Sequence, residues 1–154
     1  MNVELVPIAA LRPHEEVNAD HVQRIAKEIV RDGVVKRPLI VSRDCLTLLD
    51  GHHRYQVLRL LEADHAPCIL VDYNDTAKVE VTPWRSDEAM SPQIVRLAAS
   101  SGVMLPAKTS RHKLHFKVPP MHWPLADLFA GGVAHPSVSE TRLEKETSCS
   151  MVHA

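Results

Sequence analysis

The chain has 154 residues, the length of one ordinary domain, and its 45% hydrophobic but only 4% aromatic content means that a core must rest on Leu, Val, Ile and Ala. With 18 Lys and Arg against 19 Asp and Glu the formal charge is −1, which argues against a protein that grips nucleic acid or anionic lipid by charge. No apolar run approaches the roughly 18–20 residues of a membrane-spanning helix, and acidic residues stand where a signal peptide has a basic region, so the expected setting is cytoplasmic, without a membrane partner.

Residues 3–8 read as a short strand ended by proline chemistry, followed by a polar loop through Arg12-Pro13-His14-Glu15-Glu16. Asn18 or Asp20 can cap a helix in which Val22, Ile25, Ala26, Ile29 and Val30 recur at helical spacing, and Gly33 suits its C-terminus. Two aliphatic runs, 38–41 and 47–49, separated by a turn at Ser42-Arg43-Asp44, read as a strand pair. A second amphipathic helix carries Tyr55, Val57, Leu58, Leu60 and Leu61, and 66–71 is a further strand. Alternation over 78–82 predicts a half-buried strand, and 92–99 a helix up to Gly102. The class is therefore mixed α/β. Beyond Phe129 the Ser- and Thr-rich, charged segment has no apolar periodicity, which predicts a domain over 1–129 and a loose tail over 130–154.

Cys45, Cys68 and Cys149 have no CxxC spacing, and the ten histidines are scattered apart from the His52-His53 pair, so the sequence offers no zinc motif. The densest chemistry is Asp50-Gly51-His52-His53-Arg54. A strand ends on a carboxylate, a glycine lets the backbone approach a ligand, and imidazoles and a guanidinium follow at a helix N-terminus. Its free N–H groups and dipole favour a phosphate, which arginine recognises at two points. Asp50 is a candidate ligand for Mg²⁺ or a substrate ammonium group. Arginine beside a helix N-terminus opposes the dipole, so simple helix capping gives no reason for it. A second cluster, Lys108-Thr109-Ser110-Arg111-His112, supplies donors suited to phosphate from in or near a loop, although such runs are commonly solvated surface. Glu15 and Glu16 precede a helix, where a carboxylate serves either as a general base or simply as a partner of the helix dipole. Trp84 lines a ligand pocket or belongs to the rim of the core.

In their order along the chain, these residues resemble the free-serine kinases of the ParB/sulfiredoxin-like superfamily. The resemblance rests on Arg12-Pro13-His14-Glu15, the 50–54 block, Asp72-Tyr73, Trp84 and the 108–112 block, and spans residues 3–129. It implies a small mixed sheet flanked by helices and a nucleotide-dependent kinase that converts free L-serine to O-phospho-L-serine with ATP or ADP and Mg²⁺. It implies Glu15 as catalytic base, with Asp50 and His53 also in the catalytic set and Asp50 on the metal. Gly51, His52, His53, Arg54, Lys108, Thr109, Arg111 and His112 would bind nucleotide or phosphate, and Trp84, Thr109, Ser110 and His112 the amino acid. Ser110 stands where the family often has a second threonine, and the chain between Trp84 and Lys108 is shorter than in some relatives. A sulfiredoxin-like activity is disfavoured because His52 occupies the place of that family's nucleophilic cysteine. The alternative is a ParB-like nucleotide-binding switch or transcriptional regulator, although no periodic segment after 129 builds a helix-turn-helix, and nucleic acid is not the expected partner.

Overall fold

The computed structural model describes residues 2–86 and 88–129. Their element order is β1 (Glu4–Pro7), α1 (Ala19–Asp32), β2 (Val34–Val35), β3 (Leu39–Ser42), β4 (Leu48–Asp50), α2 (His52–Leu60) and β5 (His65–Val71). There follow β6 (Val79–Pro83), α3 (Pro92–Ser101), β7 (Ser110–Leu114) and β8 (Trp123–Pro124), with 3-10 turns at Ile8–Ala10 and Leu125–Leu128. The mixed α/β class expected from the sequence is what forms. The boundary proposed at 129 and the tail over 130–154 lie outside the described residues.

The central sheet has the order β1-β5-β3-β4, with β3 and β5 parallel at its centre and β1 and β4 antiparallel at its edges. All seven residues of β5 are buried, as a strand covered on both faces requires. Side-chain alternation sorts the core into two layers. Leu39, Val41, Cys68 and Leu70 join Val22 and Ile29 of α1 and Val57 and Leu58 of α2, whereas Ile40, Ile69 and Val71 join Tyr73, Val79 and Val95 of α3. Helix α1 begins where Asn18 Oδ1 accepts the His21 N–H at 3.0 Å and ends at Gly33, whose φ of 68° is left-handed.

Two features depart from expectation. The β2/β8 pair has no counterpart in the sequence reading, because two-residue strands leave no periodicity. The 108–112 cluster is also only partly loop: Ser110–Leu114 is strand β7, antiparallel to β6, with Val81 opposite His112 and Thr82 opposite Arg111. Strand β6 needs a partner for its backbone groups, and β7 supplies them. In β7, Ser110 and His112 turn inward while Arg111 and Lys113 are exposed, so the basic cluster is divided between two faces.

Candidate active site

Residues 12–18 are threaded between the start of β4 and the segment that leads into β7. The Arg12 carbonyl accepts the Leu48 N–H, the His14 carbonyl accepts the Leu105 N–H, and the Leu105 carbonyl accepts the Glu16 N–H, at 2.8–2.9 Å. This threading brings Glu15 to residues 94 and 95 positions further along the chain. Its Oε1 accepts the Thr109 N–H at 2.8 Å and its Oε2 accepts the Ser110 hydroxyl at 2.9 Å. Burial raises the Glu15 pKa, and hydrogen bonds from the Thr109 N–H, the Ser110 hydroxyl and neighbouring backbone groups oppose that rise. The result is an oriented carboxylate of raised basicity, the properties a general base needs.

Behind Glu15 lies a group of imidazoles. His14 is fully buried and its Nε2 is 2.9 Å from Ser110 Oγ. Because Ser110 gives its one proton to Glu15, His14 must donate from Nε2. Burial pushes the His14 pKa down to about 4, against a backbone hydrogen bond at Leu48 that raises it, so the ring is neutral at pH 7. The His52 ring meets His14 edge-on at 4.5 Å, and His112 lies 5.6 Å from His14 on another side. The pKa of His112 is lowered to about 3, again by burial, and its Nε2 lies 2.7 Å from the Tyr73 hydroxyl, over whose ring Arg96 sits at 5.0 Å.

The Asp50–Arg54 block forms the turn from β4 into α2. Gly51 has φ +99°, and a Cβ there would lie 2.6 Å from Leu39 Cδ2 and 2.8 Å from Arg54 Nη2. Only glycine allows the chain to turn under the guanidinium. Arg54 donates to the Pro38 carbonyl at 3.2 Å and approaches Asp50 at 3.9 Å, and its buried Nε has no hydrogen-bond partner. The block has an open cavity on each side. One, of about 340 Å³, is bordered by Glu15, Glu16, His52, Tyr55 and Arg59; the other, of about 350 Å³, by Arg31, Lys36, Arg37 and Arg54.

The structure thus gathers Glu15, His52, Thr109, Ser110 and His112, with Gly51, His53 and Arg54 on the adjoining turn. Trp84 and Arg111 form a separate pair, the guanidinium 5.2 Å from the indole ring, tied to the site through the Trp84 N–H, which donates to the Thr109 carbonyl at 3.3 Å. Lys108 is exposed with a left-handed φ of 58°. The sequence reading gave no role to His14 and did not identify Arg96. A buried His inside Pro-His-Glu leaves no local signal, since its partner is 96 residues away.

No protein-family profile matches the chain. In sequence it is 39% identical over 82 residues to a ParB-like protein of Sulfolobus acidocaldarius, covering 53% of this chain and 40% of that protein. It is 32% identical over 84 residues to an ATP-dependent L-serine kinase of Staphylothermus marinus, and 27% identical over 79 residues to an ADP-dependent L-serine kinase of Thermococcus kodakarensis. These matches cover 52% and 48% of this chain and 33% of each kinase. The chain therefore spans between a third and two fifths of the length of these relatives. Among solved structures, free serine kinase in complex with AMP superposes with a TM-score of 0.74 at 14% identity, over 84% of this chain and 94% of that one. A C-terminally truncated SbnI from Staphylococcus aureus superposes with a TM-score of 0.73 at 13% identity, over 96% of each chain. This chain has the fold of the free serine kinases and, over about half its length, is similar in sequence to L-serine kinases and to a ParB-like protein.

Proposed function

We propose that this chain transfers a phosphoryl group from ATP or ADP to the hydroxyl of free L-serine, giving O-phospho-L-serine, with Glu15 as general base. The observation that carries this reading is the Glu15 carboxylate, raised in pKa by burial, held on both oxygens by β7 and its approach, and opening on a cavity beside the phosphate-suited turn. The similarity to L-serine kinases supplies the acceptor.

A serine hydroxyl is a weak nucleophile near neutral pH, and a placed carboxylate removes its proton as the oxygen attacks phosphorus. The new O–P bond forms while the bond from phosphorus to the bridging oxygen breaks, leaving ADP from ATP or AMP from ADP. Charge on the transferring group's oxygens is met by the N–H groups of His52, His53 and Arg54, which open α2 without intrahelical partners, and by the Arg54 guanidinium. Lys108, Thr109 and His112 add donors for phosphate, and Ser110, Thr109 and His112 border the amino acid; Trp84 and Arg111, expected in the same set, pair on the other face of β7 and join the site through the Trp84 N–H to Thr109.

Mg²⁺ fits at Asp50. Its side chain is 47% exposed and its cationic neighbour is 3.9 Å away, which leaves oxygens for an ion that takes one or two carboxylates and completes its shell with phosphates and water. No cluster of three or more potential protein ligands exists among the described residues, as that mode of binding requires none. Bound there, the ion would offset phosphate charge.

The test is ³¹P NMR of the protein with Mg²⁺ and either ATP or ADP, with L-serine, threonine, homoserine or no added acceptor. The expected result is a phosphomonoester signal that depends on serine. Nucleotide binding without any acceptor-dependent product would replace this reading with a nucleotide-binding switch.

A further inference from the structure

His53 Nε2 accepts the Asn18 N–H at 3.2 Å, and His52 Nε2 accepts the His14 N–H at 3.2 Å. These two amides flank Glu15 on either side, and the rings that receive them are consecutive residues on the first turn of α2. The other backbone bonds of residues 12–18 go to Leu46, Leu48, Leu105 and Val22, so among the described residues the two imidazoles are the segment's hydrogen-bonded attachment to the phosphate-suited turn itself. We propose that His52 and His53 are positioning residues for the base: together they clasp residues 14–18 to the α2 N-terminus and set the distance between Glu15 and the phosphate-binding turn.

The chemistry of the contact is specific. A backbone N–H needs a lone pair, so in each neutral ring Nε2 is the acceptor and the proton resides on Nδ1. An ionised phosphate oxygen, which only accepts, therefore gains nothing from either Nε2. His14 is fully buried, so deleting the acceptor of its N–H leaves an unpaired polar group away from water. An Nε2 that accepts an N–H carries no proton, so each ring is neutral for as long as its bond is made. Asn18 links the clasp to the helix behind it, since its side chain caps α1 while its N–H donates to His53. A small shift at the clasp is costly because catalysis by a positioned base depends on contact distance.

The proposal rests on the kinase reading only for what the clasp serves; the clasp itself is testable without turnover. His53→Leu removes the acceptor, and His53→Gln returns one near the position of Nε2. In wild type, ¹⁵N NMR should give His52 and His53 as Nδ1–H tautomers, and the Asn18 amide should be protected from hydrogen exchange. In His53→Leu that protection should fall at least tenfold, and His53→Gln should restore most of it. For serine phosphorylation, His53→Leu should lower kcat about tenfold or more, again with rescue by Gln. Unchanged Asn18 protection in His53→Leu, an Nε2–H tautomer, or a loss confined to nucleotide affinity would each overturn the clasp. Failure of wild type to phosphorylate serine would overturn the kinase reading, and the exchange and tautomer results would still decide the clasp.

Discussion

Glu15 is held between opposing influences. Burial favours its neutral form, and donors from Thr109, Ser110 and Lys108 favour its charged form. Removing the Ser110 hydroxyl takes away one of the groups that stabilise the carboxylate, so in Ser110→Ala the Glu15 pKa rises further. The acid limb of the kcat/KM profile for serine should move to higher pH, which a pH–rate series on both proteins measures; an unmoved or lowered limb would mean that Ser110 does not tune the base. The same substitution leaves the buried His14 Nε2–H without its partner and should cost about 1–3 kcal/mol of stability in urea titration. The role proposed for Glu15 comes from the order of motifs along the chain that resembles the free-serine kinases. Its supports were not, because the Thr109 and Ser110 contacts join residues 94 and 95 apart and depend on the threading of a loop.

Elements read from periodicity came through with their caps: α1 starts after Asn18 and stops at Gly33, and α3 stops at Gly102. Strand β7 was partly hidden because donors and charges mask its alternation, yet that alternation decides which side chains reach Glu15. Ser110 does, His112 points to the same side and lies beside His14, and Arg111 pairs with Trp84 on the other face. The turn into α2 depends on Gly51. Gly51→Ala puts a Cβ into a left-handed residue and against Leu39 and Arg54, and should cost about 1–3 kcal/mol and weaken nucleotide binding. Gly33→Ala is the control: the backbone is similarly left-handed but nothing lies within 4 Å of the new Cβ. Urea midpoints and nucleotide titrations of the two variants should separate the backbone cost from displacement of Arg54. Equal midpoints and equal affinities would remove the close approach as a constraint.

Across the whole molecule, the two-layer core was visible in short aliphatic strands between amphipathic helices, whereas the two cavities beside the Asp50–Arg54 turn arise only from how α1, α2 and the 12–18 segment pack. Packing also buries His14 and partly buries His52 and His112, all with lowered pKa values. The unfolded chain protonates these histidines as pH falls through 6.5, while the folded chain resists down to about 4 for His14 and about 3 for His112. Their stabilisation is therefore complete above that window and lost within it as pH falls. Glu15 works in the opposite sense, since protonation relieves its burial. Urea unfolding at pH 7.5 and 5.0 should record a loss of about 2 kcal/mol for each of His14 and His112 at the lower pH; equal or greater stability at pH 5.0 would contradict their neutral burial. Whether Glu15 deprotonates a serine hydroxyl is decided by serine-dependent phosphomonoester formation in wild type and Glu15→Gln side by side, with nucleotide affinity determined for both. Loss of the base should lower turnover by about 10²–10⁴-fold at unchanged nucleotide affinity, and equal turnover in the two proteins would rule Glu15 out as the base.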